Sequence, residues 1–130
     1  MSTNPLAPTI LIVDDDERLA KIIELVLKKA GFKARMAYSG ETALDWLKHH
    51  TAAAVILDLM MPDISGFSFL RELRARDATR ALPVIVLTAR ADEASRLRSE
   101  SLGANDFLVK PVNSETLVQH IKNVIGPTSA

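Results

Sequence analysis

Residues 9–18 read TILIVDDDER, in which four apolar residues, Ile10 to Val13, run straight into three aspartates, Asp14, Asp15 and Asp16. The apolar run is short and β-branched, the signature of a buried strand. Crowding like charges at its end is unfavourable, because two unit charges about 4 Å apart cost roughly 4 kcal/mol at an effective dielectric near 20. A strand that ends in such a cluster must gain something from it, and a bound cation is one such gain.

Outward from this stretch, apolar residues change period again and again. Leu19, Ile22, Ile23, Val26, Leu27 and Ala30 recur at helical spacing, and Gly31 stands where a helix stops. KARMA (33–37) reads as a second strand, followed by a helix from about Gly40 through Ala43, Leu44 and Leu47. AAAVILDL (52–59) reads as a buried strand, broken by MPDISG. A helix through Phe67, Leu70 and Leu73 leads to the strand PVIVLT (83–88). Residues 92–102 read as a weakly amphipathic helix, with Leu97 and Leu102 among charges and serines. DFLV (106–109) is the fifth strand, and Leu117, Val118, Ile121, Val124 and Ile125 mark the last helix. Strand and helix thus alternate five times with short links, which predicts an α/β fold with a parallel sheet and helices on both faces. Apolar strands without alternation agree, because both faces of such a sheet are covered.

The expected organisation is a flexible tail over 1–8, one domain over 9–126 and a short tail over 127–130. Hydrophobic residues at 48% and charged residues at 25% suit a globular domain and argue against disorder. Sixteen basic residues balance sixteen acidic ones, so no bulk charge favours nucleic acid or an anionic membrane surface. With no cysteine, disulfides, thiolate metal sites and a cysteine nucleophile are excluded. No apolar run approaches the 18 or so residues of a membrane span, and MSTNPLAPT lacks the pattern of a signal peptide, so the expectation is a cytoplasmic protein.

In an open α/β sheet, ligands bind beyond the carboxyl ends of the strands. Strand one ends at Asp14 and Asp15, strand three at Asp58, strand four at Thr88 and strand five at Lys110. Four of the five strands therefore deliver a polar group to one edge. Three carboxylates are balanced by one Mg²⁺ and the Lys110 ammonium. Mg²⁺ takes hard oxygen ligands, one or two carboxylates plus a phosphate group. Lys110 and the Thr88 hydroxyl suit phosphoryl oxygens, and a carboxylate in this company can act as a nucleophile towards phosphorus. Asp58, alone at its strand tip, is the best candidate.

These residues resemble the receiver domains of two-component response regulators. The resemblance spans roughly 8–126 and rests on ILIVDDDE, VILDLMMPDISG, VIVLTA and GANDFLVKP in the family's order. It implies a flavodoxin-like (βα)5 sandwich with strand order 2-1-3-4-5. It implies that Asp58 accepts a phosphoryl group from a histidine kinase, a histidine phosphotransfer protein or a small phosphodonor. Asp15, Asp58 and the backbone carbonyl of Met60 match the Mg²⁺ ligands, and Asp14 matches the position that reaches the metal through water. Thr88 and Lys110 match the phosphoryl-binding groups, Phe107 the aromatic switch residue, and Lys110–Pro111 a cis peptide. Met60 and Arg90 fall at the positions that tune autodephosphorylation. The implied output is a change of the face of the fourth helix, fifth strand and fifth helix, read by a downstream target, an output domain or a second copy. No output domain fits in the five residues after Ile125, so no nucleic-acid binding is expected of this chain.

Plainer roles are weighed for the same residues. Asp16 is read as a helix N-cap, Trp46 as helix packing, and Asp63 with Gly66 as turn chemistry. His49, His50 and His120 have no metal-like or triad-like company and are read as solvated. The main enzymatic rival is a haloacid-dehalogenase-type phosphatase, which needs a second aspartate two residues after the nucleophile, where this chain has Met60. A nucleotide- or flavin-binding domain would need a glycine-rich phosphate loop where DDDER stands. The expectation is a signalling switch, not a turnover enzyme.

Overall fold

The computed structural model describes residues 6–126, so the tail expectations for residues 1–5 and 127–130 lie outside the described residues. The elements run β1 (Thr9–Val13), α1 (Glu17–Lys29), β2 (Lys33–Ala37), α2 (Gly40–Leu47), β3 (Ala54–Leu57), α3 (Gly66–Ala75), β4 (Val84–Thr88), α4 (Glu93–Ser101), β5 (Asp106–Val109) and α5 (Ser114–Ile125). The strands form one parallel sheet in the order β2-β1-β3-β4-β5. This is the flavodoxin-like order that the resemblance implies. β3 is shorter than the apolar run 52–59, but its hydrogen bonding extends past both ends: Ala53 donates to the Thr9 carbonyl and Asp58 to that of Val13.

Parity along the strands decides what covers each face. Ile10, Ile12, Ile56, Ile85 and Leu87 point to the layer of α1 and α5, where Ile23, Leu27, Leu117 and Ile121 meet them. Leu11, Val13, Val55, Leu57 and Val84 point the other way, onto Leu47 of α2 and Phe69, Leu70 and Leu73 of α3. A smaller cluster of Leu59, Phe67 and Val86, joined by half-buried Phe107, fills the space below α4. Each fully buried Leu, Ile or Phe contributes roughly 1.5–3 kcal/mol of transfer free energy.

All five helices among the described residues start on a polar side chain. Asp16, Ser39, Ser65, Asp92 and Asn113 each accept a backbone N–H three residues on, satisfying a donor that the helix start leaves open. Asp16 is therefore a cap, as its position suggested. Two expectations change. Ile22 belongs to the apolar repeat of α1 yet is 54% exposed. The buried line is Ala20, Ile23 and Leu27, and Ile22 lies about 100° round the helix from Ile23. The histidines are also less solitary than read. His50 stacks on Trp46 with centroids 4.7 Å apart, and His120 Nδ1 pairs with the Asp106 carboxylate. The second pair joins α5 to the first residue of β5, a contact that only the topology creates. His49 is exposed, as expected.

Candidate functional site

The parallel register brings the strand ends to one edge. Val13 pairs with both Ala37 and Leu57, so Asp14 and Asp58 leave neighbouring strands side by side. Thr88 pairs with Val109, and the Lys110 backbone donates to the Thr88 carbonyl at 2.8 Å. Asp14 and Asp58 are buried at 3% and 6% exposure, Thr88 is fully buried, and Asp15 is exposed.

Lys110 Nζ lies 2.9 Å from Asp14 Oδ2 and 2.9 Å from Asp58 Oδ2, bridging the two carboxylates. Their other oxygens accept backbone N–H groups, from Asp16 to Asp14 Oδ1 at 2.9 Å and from Met60 to Asp58 Oδ1 at 3.1 Å. Burial pushes the Asp14 carboxyl above its ordinary range, against the opposing hydrogen bonds from Lys110 and Asp16. Burial pulls the other way on Lys110, but its hydrogen bonds to Asp14 and Asp58 prevail and hold its pKa above the usual lysine value. The ammonium is thus firmly charged, and Asp14 is costly to keep ionised.

Ligand oxygens of Asp14, Asp15 and Asp58 all lie within 4.8 Å of one another. An all-oxygen donor set of this charge fits a small hard cation. The Thr88 hydroxyl accepts the Arg90 N–H at 3.3 Å, and a hydroxyl that accepts keeps its own O–H to donate. The Lys110–Pro111 peptide is cis. Of the remaining sequence candidates, Phe107 packs with Leu59, Phe67 and Val86 below the edge. Met60 presents its side chain to solvent at 58% exposure, and Arg90 turns to Asp92, with Nε 3.2 Å from Oδ1.

Several supporting residues were not legible from the sequence. Asp63 is more than a turn residue: its carboxylate accepts the N–H groups of Gly40 and Glu41, tying the segment after Asp58 to the start of α2. Although burial opposes it, hydrogen bonds from Glu41, Ile64 and Gly40 hold its pKa below the ordinary value. Gly66 opens α3 against the strand end. A Cβ there would stand 2.6 Å from Leu59 Cα and 2.7 Å from the Asp58 carbonyl oxygen. Arg74 reaches from α3 to carbonyls of the two loops beyond it, a contact with no local sequence signal.

Fold and site define an open α/β protein with an acidic, lysine-bridged pocket at the carboxyl edge of its sheet. The family model for the response regulator receiver domain matches residues 10–122. The chain is 38% identical over 117 residues to the transcriptional regulatory protein GltR of Pseudomonas aeruginosa, covering 90% of this chain and 48% of that one. It is 35% identical over 120 residues to the phosphate regulon transcriptional regulatory protein PhoB of Rhizobium meliloti, covering 92% and 53%. It spans about half the length of these curated relatives. Among solved structures it is similar to the receiver domain of a signal transduction histidine kinase from Syntrophus aciditrophicus, with TM-score 0.86, 30% identity and coverage of 95% and 93%. It is equally similar to the receiver domain of a sensor histidine kinase from Pseudomonas aeruginosa, with TM-score 0.85, 30% identity and coverage of 93% and 99%. That structure has a magnesium ion coordinated in the active site cleft. The chain belongs to the response regulator receiver domain family and is a receiver domain of two-component signalling. The phosphatase alternative finds no support, since Met60 stands where that chemistry needs an aspartate.

Proposed function

We propose that this receiver domain is a phosphoacceptor switch in which Asp58 takes a phosphoryl group from a histidine kinase, a histidine phosphotransfer protein or a small acyl phosphate. The observation that carries this reading is Lys110 bridging Asp14 and Asp58, with Asp15 beside them. An Asp58 carboxylate oxygen attacks phosphorus, the bond from phosphorus to the donor's nitrogen or oxygen breaks, and the electron pair leaves with the donor. Asp15, Asp58 and the Met60 carbonyl, with Asp14 through water, would hold Mg²⁺, which when bound supplies positive charge for the phosphoryl oxygens. Lys110 and the Thr88 hydroxyl bind the oxygens that the acceptor bond leaves exposed.

The phosphoryl group adds charge and acceptor oxygens beside Thr88 and Lys110, and these contacts favour one of two arrangements of the segment after β4. Phe107 follows Thr88 inward, and the face of α4, β5 and α5 presents the state to a downstream protein, an output domain or a second copy. The chain turns over no separate substrate; it catalyses its own phosphorylation and dephosphorylation, in the cytoplasm where its donors work.

Labelling with acetyl phosphate tests the assignment. The native chain gains the mass of one phosphoryl group in Mg²⁺ and none in chelator, and Asp58→Asn gains none. Labelling that survives Asp58→Asn would refute the role of Asp58.

A further inference from the structure

The two ends of α4 are held very differently. At its C-terminal end, Gly103 turns the chain at φ +102 and its carbonyl accepts two bonds from Arg74, from Nε at 3.2 Å and Nη2 at 2.7 Å. Arg74 Nη1 reaches the carbonyls of Thr79, Arg80 and Leu82 at 3.2, 3.2 and 2.8 Å. Arg74 Nη2 also meets Asn105 Oδ1 at 3.3 Å, an oxygen that accepts the Val84 N–H at 2.8 Å. One planar cation thus fastens the turn after α4 to α3 and to the start of β4. The rigid fork of a guanidinium suits this task, where a lysine would offer a single point charge.

The body of α4 has nothing comparable. Its buried residues are Ser95 and Ser99, and both hydroxyls bond within the helix segment itself, to the Asp92 carboxylate and to the Ser95 carbonyl. Arg96 pairs with Glu93 and Glu100 on the same helix. Exposed Arg98 lies over the ring of buried Phe67 at 4.2 Å, and Arg90, in the segment before the helix, lies over the same ring at 5.9 Å; such cation–π contacts are the weaker kind of tie. Charge-assisted hydrogen bonds from a partly buried arginine are worth more each, and there are several of them.

From this asymmetry we infer that Arg74 makes Gly103 the fixed end of α4, so that the helix is a lever whose free end is the segment Ala89–Glu93 next to Thr88. The inference rests on the phosphoacceptor reading only for the trigger; the fixed end is a property of the unmodified chain. A lever anchored in this way confines the switch to the end nearest Asp58. It spares the β4–β5 pairing at Asn105, whose N–H bonds the Val84 carbonyl at 2.8 Å.

Peptide-resolved amide hydrogen exchange of the full chain tests this. The amides of Leu102, Gly103, Ala104 and Asn105 are all bonded and report on the anchored end. In the unmodified chain, residues 89–96 exchange about tenfold or more faster than 100–105 after correction for intrinsic rates. Arg74→Met raises exchange of 100–105 by about tenfold or more, and Arg74→Lys, which keeps the charge and stem, raises it by a smaller factor. After acetyl phosphate and Mg²⁺, exchange changes several-fold in 89–96 and stays within about twofold in 100–105. Equal protection of the two segments, native exchange of 100–105 in both variants, or an equal response at both ends would overturn the proposal. Intact mass reports separately whether Asp58 was modified. A chain that takes no phosphoryl group sinks the trigger, while the unmodified comparisons still decide the role of Arg74.

Discussion

Lys110 neutralises only part of the charge around it. It touches Asp14 and Asp58 at 2.9 Å each, and Asp15 adds a third carboxylate to the same pocket. Removing the ammonium leaves two buried carboxylates facing each other without a cation, and a buried charge that loses its partner is strongly destabilising. The side chain of Lys110 is 19% exposed, so solvent screens part of this. Lys110→Met should therefore lower stability by about 1–3 kcal/mol in chelator. At about 4 °C per kcal/mol for a domain of this size, the thermal midpoint falls by roughly 4–12 °C. The double variant Lys110→Met with Asp14→Asn should recover much of that loss, because one carboxylate of the clash is gone. An unchanged midpoint in Lys110→Met would show that the bridge contributes nothing. The two positions proposed to tune dephosphorylation would act on rate instead. On the phosphoacceptor reading proposed above, exposed Met60 and the cation of Arg90, which is paired with Asp92, would hinder water at an acyl phosphate on Asp58. Met60→Asn with Arg90→Glu should accordingly speed loss of the phosphoryl group by about tenfold, an effect of roughly 1.4 kcal/mol on the barrier. Decay of the labelled protein followed by mass checks it, and an unaltered half-life would sink the idea. Residues at strand ends were legible in the sequence because a parallel sheet sends every such residue to one edge. The pairing of His120 with Asp106 was not, since the two lie on different elements and meet only once α5 packs on β5.

Elements were legible where period and caps agree. KARMA and DFLV are strands over the residues expected, and Asp16 begins α1 as its position before an apolar repeat suggested. The weak amphipathicity of residues 92–102 also reads true, for α4 buries two serines. Close approach of elements was not legible, because it depends on an atom that is missing. Gly66 shows why. Its φ is unremarkable, yet α3 begins so near the end of β3 that a Cβ would meet backbone, which cannot swing aside as a flexible side chain could. Gly66→Ala must shift either α3 or the Leu59 backbone, and overpacking of this kind costs about 1–3 kcal/mol. Because the shifted backbone carries Asp58, the variant should lose both thermal stability and labelling rate, whereas a surface glycine would affect neither. A variant that labels Asp58 at the native rate and melts at the native temperature would contradict the packing described.

For the molecule as a whole, charge is balanced at sixteen against sixteen, yet it is not balanced locally. Three carboxylates and one ammonium gather at the carboxyl edge, an excess of acid built into the same strands that form the core. β1 and β3 supply the aspartates at their tips and the most buried apolar residues along their length, so unfolding either strand destroys the pocket. A cation that binds the gathered carboxylates has no equivalent site in the unfolded chain, where Asp14 and Asp58 are separated by more than forty residues of sequence. Binding must then stabilise the whole domain by mass action, by about 2.7 kcal/mol at a hundred times the dissociation constant. Mg²⁺ at that excess should raise the thermal midpoint by roughly 10 °C over chelator. The gain should shrink as Mg²⁺ is lowered and should largely vanish in a variant carrying both Asp15→Asn and Asp58→Asn. Reducing the carboxylates also relieves repulsion, so that variant should melt above the native chain in chelator while responding less to the metal. These opposite movements separate a metal site from a general ionic-strength effect, which would shift native and variant alike. Equal Mg²⁺ responses in the two proteins would overturn the assignment of the cluster as a metal site.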